Sequence, residues 1–71
     1  MPKLPRGVSH DRLLRFLRHH GWSVVREGAR HTVVGKDGTQ VSVPRHARLR
    51  TGTVAAILRQ AEIDDGSRQD L

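Results

Sequence analysis

At 71 residues, the chain has room for one domain, and a domain of that size buries only about 60% of the surface its unfolded chain exposes. Without Cys it can form neither a disulfide staple nor a thiolate zinc site, and no apolar run reaches the roughly 18 residues of a membrane span. Lys and Arg total 13 against 7 acidic residues, a net charge of +6, which points to nucleic acid as partner.

Residues 1–7 read as an extended lead-in with Pro2 and Pro5. It is basic but lacks the apolar stretch of a secretory signal, so a cytoplasmic location is expected. A helix starts after Ser9, a good N-cap, with Asp11 at the positive end of its dipole. Val8 and Leu13 have the spacing of a hydrophobic staple. Leu13, Phe16, Leu17 and His20 recur at i, i+3, i+4 and i+7 with Leu14 beside them, while Arg12, Arg15, Arg18 and His19 fall opposite. Gly21 is placed to end the helix in the left-handed conformation.

Residues 22–27 are β-prone, and Gly28 breaks them. Arg30–Lys36 and Thr39–Val43 form the arms of a hairpin, which Pro44 ends because it has no N–H to donate. Residues 45–50 make a basic connector. A second helix starts near Thr51 or Thr53, with Val54, Ile57, Leu58 and Ala61 on one face. Residues 64–71 have nothing evident to bury and read as a flexible tail. The order is α-β-β-β-α, an α+β domain: a three-stranded antiparallel sheet with both helices on one face.

The hairpin turn sets which face His31 occupies. A two-residue type I′ loop at Asp37-Gly38 pairs Lys36 with Thr39, Val34 with Val41 and Thr32 with Val43. Thr32, Val34, Val41 and Val43 then face the helices, and His31, Val33, Gln40 and Ser42 lie on the open face. A three-residue loop with a bulge at Gly38 would turn His31 inward. The first register is favoured, because an imidazole in so small a core needs a buried partner.

Of the five histidines, His10 and His19 read as helix-surface residues and His20 as half-buried at the helix end. His31 and His46 stand out, since both flank the sheet among arginines. No HExxH and no acidic residue at ligand spacing accompanies them, so neither a metal nor another cofactor is expected. Guanidinium forks match phosphate oxygens. Arg30, Arg45, Arg48 and Arg50, with Lys36 at the hairpin tip and His46, are the candidate nucleic-acid-binding residues. Only Phe16 and Trp22 are aromatic, too few for a base-stacking sheet of the RRM or OB type.

Several short motifs fall in one order. They are Gly7-Val8-Ser9, Leu17-x-x-x-Gly21-Trp22, Gly28-x-x-His31, Val43-Pro44-x-His46 and Gly52-Thr53-x-x-x-Ile57-Leu58-Arg59-Gln60-Ala61. From about residue 7 to residue 63, the chain resembles the HicA family of bacterial toxins. The resemblance implies a double-stranded-RNA-binding-domain-like fold over one domain, residues 1–71. It also implies cleavage of mRNA and restraint by an antitoxin of the HicB type. The family's essential histidine follows a Gly-Ser-x turn and corresponds to His31. Here the turn is Gly28-Ala29-Arg30, without the serine hydroxyl. The alternative function is a non-catalytic RNA-binding module of the same fold. A DNA-binding regulator fits less well, because the second helix has no polar recognition face, and a structural subunit for an acidic partner is a third reading.

Overall fold

The computed structural model describes residues 7–64 and 66–71; of the lead-in expected over residues 1–7, residues 1–6 lie outside the described residues. Helix α1 spans His10–His19. The Ser9 hydroxyl accepts the Arg12 N–H at 3.1 Å, satisfying one of the N–H groups a helix start leaves unpaired. Val8 and Leu13, the expected staple, are both fully buried. At the other end the Gly21 N–H donates to Arg18 O and the Trp22 N–H to Leu17 O, both at 3.0 Å. With Gly21 at φ +90°, this is a Schellman stop. Trp22 is buried beside that stop, and β1 begins one residue later, at Ser23.

Strands β1 (Ser23–Glu27), β2 (His31–Lys36) and β3 (Thr39–Pro44) form an antiparallel sheet in the order β1-β2-β3. Lys36 pairs with Thr39, Val34 with Val41 and Thr32 with Val43. Asp37 and Gly38 have φ of 51° and 82°, the positive values of a type I′ turn. The two-residue register is therefore the one formed. Val34, Val41 and Val43 join Leu13, Leu17 and Leu58 in the core. Helix α2 spans Thr51–Gln60 and buries Val54, Ile57 and Leu58 against the same sheet face. On the opposite face His31, Gln40 and Ser42 are exposed, while Val33 is buried.

Strand β1 departs from regular pairing. Val24 pairs with Val34, but Arg26 pairs with Val33, so Val25 is an extra residue. It is 53% exposed and lies over Gly35, where its Cγ1 would be 3.1 Å from an added Cβ.

The last segment differs from the expected tail. Residues Ser67–Asp70 form a 3₁₀ turn, and Leu71 is buried in the core. Leu71 is the apolar side chain that gives this polar run something to bury. The Ser67 N–H donates to Asp64 Oδ1 at 2.7 Å, and the Arg12 guanidinium donates to Leu71 O. Among the described residues, no helix is long and apolar enough to cross a membrane.

Candidate nucleic-acid interface

His31 opens β2 with its side chain exposed. Its neighbour Thr32 is fully buried, and strand alternation therefore puts His31 on the open face. The Gly28 N–H donates to His31 O at 2.8 Å, and Pro44 is the register partner on β3. Neither neighbour has a side chain that could hydrogen-bond an imidazole. A Cβ at residue 28 would come within 3.1 Å of His31 O, closer than ordinary contact, so glycine suits this approach. The result is a solvent-open imidazole at one end of a sheet.

The structure brings two of the expected arginines to that end. The Arg45 N–H donates to Arg30 O at 2.9 Å, which carries backbone pairing one step beyond the His31 pair. The Arg45 guanidinium also donates to Gly28 O, at 3.4 Å. The connector that follows is pinned midway. Leu49 is buried and its N–H donates to Val8 O at 2.7 Å, leaving His46, Arg48 and Arg50 exposed around it. His46 lines a cleft of about 340 Å³ with Ser9, His10, Asp11, Arg45 and Ala47 at the start of α1. Arg48 and Arg50 line a second cleft with His46 and Thr53. Lys36 is not brought to this end. It lies five residues along β2, roughly 17 Å away, where its Nζ donates to His20 O at 2.8 Å.

Two residues differ from, or were absent from, the sequence expectations. His10 is not a plain helix-surface residue: its side chain is 14% exposed and its Nε2 lies 2.9 Å from Thr32 Oγ1. Thr32 is the buried polar side chain among the described residues, and a buried hydroxyl needs a partner. Helical spacing could not show this, because the partner is 22 residues away. Arg26 was not among the candidates. As register partner of Val33, it shares the open face with His31, and only the bulge at Val25 puts it there. Neither Val25 nor its neighbours carry the glycine that would signal a bulge.

His20 packs its ring on Phe16 at a centroid distance of 4.6 Å, the half-buried position expected. Among the described residues, no group of three or more His, Asp or Glu side chains is placed to hold a metal ion.

Comparisons with curated proteins and with solved structures found no match. A family model described as the HicA toxin of bacterial toxin-antitoxin matches residues 11–63. That stretch runs from the first turn of α1 to just beyond α2 and includes His31. The chain therefore belongs to the HicA toxin family and is a toxin of the toxin-antitoxin type.

Proposed function

We propose that this toxin is an endoribonuclease that cleaves mRNA without a metal ion, with His31 moving the proton of the 2′-hydroxyl. The observation that carries it is the exposed imidazole at the sheet end, flanked by Gly28 and Pro44, with the paired backbones of Arg30 and Arg45 one step beyond. RNA brings its own nucleophile. The 2′-oxygen bonds to phosphorus, the bond from phosphorus to the 5′-oxygen breaks, and a 2′,3′-cyclic phosphate and a 5′-hydroxyl result. The 2′-hydroxyl proton passes to His31, and the leaving 5′-oxygen takes a proton from water. An imidazole titrates near pH 6.5 and can serve at cellular pH, a contribution of roughly 10²- to 10⁴-fold. His46 lies in the cleft beside α1, so water is preferred to it as the second donor.

RNA affinity is assigned to Arg30, Arg45, Arg48, Arg50 and His46, with Lys36 reaching a more distant phosphate. The partner that restrains the toxin is an antitoxin of the HicB type, which masks His31.

The test is the chemistry of the products. A long single-stranded transcript, digested with and without EDTA, should give 2′,3′-cyclic phosphate ends at equal rates. Ends bearing a 3′-hydroxyl, or cleavage abolished by EDTA, would refute the mechanism.

A further inference from the structure

We infer that Arg26, carried by the bulge at Val25 onto the face of His31, binds the scissile phosphate of the RNA. The inference rests on the proposed ribonuclease function and adds a phosphate ligand to it.

The argument begins with register. Ser23 pairs with Gly35 and Val24 with Val34. Unbroken pairing would then set Val25 opposite Val33 and Arg26 opposite Thr32, on the face buried under the helices. The extra residue moves Arg26 opposite Val33 instead. Val33 and His31 are two residues apart on β2 and share a face. Arg26 is thus the diagonal neighbour of His31, at about 7–8 Å between backbones, a span long side chains bridge. Bulges occur beside active sites because they re-aim a side chain in this way.

The other arginines at this end are aimed differently. Arg30 and Arg45 sit one step beyond the His31–Pro44 pair and remain backbone-paired, so alternation turns their side chains from the open face. The Arg45 guanidinium already donates to Gly28 O.

Charge agrees with geometry. Arg26 is exposed and, among the described residues, has no carboxylate partner. Glu27, the nearest acid in sequence, pairs with Thr32 and so belongs to the opposite face. Ser42 and Gln40, also on the open face, are uncharged. A guanidinium in this position can fork onto the two non-bridging oxygens while His31 works on the 2′-hydroxyl, and it holds the charge that builds at phosphorus.

The test compares Arg26→Gln, Arg26→Lys and His31→Ala on a long single-stranded transcript, with melting temperature measured on each. Arg26→Gln should lower the rate at saturating transcript by about 10²- to 10³-fold, with the melting temperature unchanged because the side chain is exposed. Arg26→Lys, which keeps the charge without the fork, should recover part of the loss. In the His31→Ala background, Arg26→Gln should reduce the slope of log affinity against log salt by about one. The inference is overturned if Arg26→Gln cleaves at the wild-type rate while His31→Ala is inactive. It is equally overturned if a comparable loss appears with Arg45→Gln and not with Arg26→Gln. Wild-type cleavage by His31→Ala would instead remove the ribonuclease reading on which the inference rests.

Discussion

Single residues here are placed by their partners. The His10–Thr32 contact ties the first turn of α1 to the strand residue next to His31. Removing one side of a buried hydrogen bond strands the other, at about 1–3 kcal/mol, whereas replacing both by apolar groups is close to neutral. His10→Leu should therefore destabilise by about 1–3 kcal/mol, and the His10→Leu/Thr32→Val double variant should regain most of it. Urea titration of the three proteins checks this, and additive losses would show that the contact is not a coupled pair. Asp64 offers a test in pH. The Ser67 backbone N–H, and then its hydroxyl, hold this exposed carboxyl below its ordinary 3.8. A lowered folded-state pKa means the contribution is complete above 3.8 and is lost as pH falls through the folded value. NMR titration should find an Asp64 midpoint below 3.8, and one at or above it would contradict the Ser67 contact.

At the scale of elements, α2 ends in a left-handed residue without a glycine. The Glu62 N–H donates to Arg59 O at 3.1 Å and the Ile63 N–H to Leu58 O at 3.0 Å, the same stop as at α1, but with Glu62 at φ 56°. Left-handed backbone costs an L-residue roughly 1–2 kcal/mol, partly offset by the chain entropy a glycine adds. Glu62→Gly should raise stability by about 0.5–1 kcal/mol, read from the urea midpoint; a lower midpoint would contradict it. The contrast shows what was legible in the sequence. Ser9, Gly21 and Asp37-Gly38 are local signals, and each formed the cap, stop or turn its chemistry dictates. That turn fixed the register and with it the exposure of His31. The stop at Glu62 has no glycine to announce it, and the bulge at Val25 and the burial of Leu71 depend on partners distant in sequence. Without the bulge Arg26 would face the helices, so strand alternation alone does not point to it.

For the molecule as a whole, helices cover one sheet face, and among the described residues the other carries His31 with Arg26. With an excess charge of +6, association with an acidic antitoxin should be fast and salt-sensitive. A masking antitoxin should abolish cleavage at one equivalent per site and protect the amides of residues 28–34 from exchange. It should also raise the melting temperature by mass action. Protection confined to the helices, or cleavage that persists at saturation, would contradict masking of His31.

The central claim is that an exposed histidine at the start of β2 moves the proton in RNA cleavage. The most direct measurement is the cleavage rate of His31→Ala beside wild type on one transcript, with folding followed by circular dichroism. A surface imidazole contributes little to stability, so the variant should fold as wild type does and leave the transcript intact. A folded His31→Ala protein that cleaves at the wild-type rate would contradict the account.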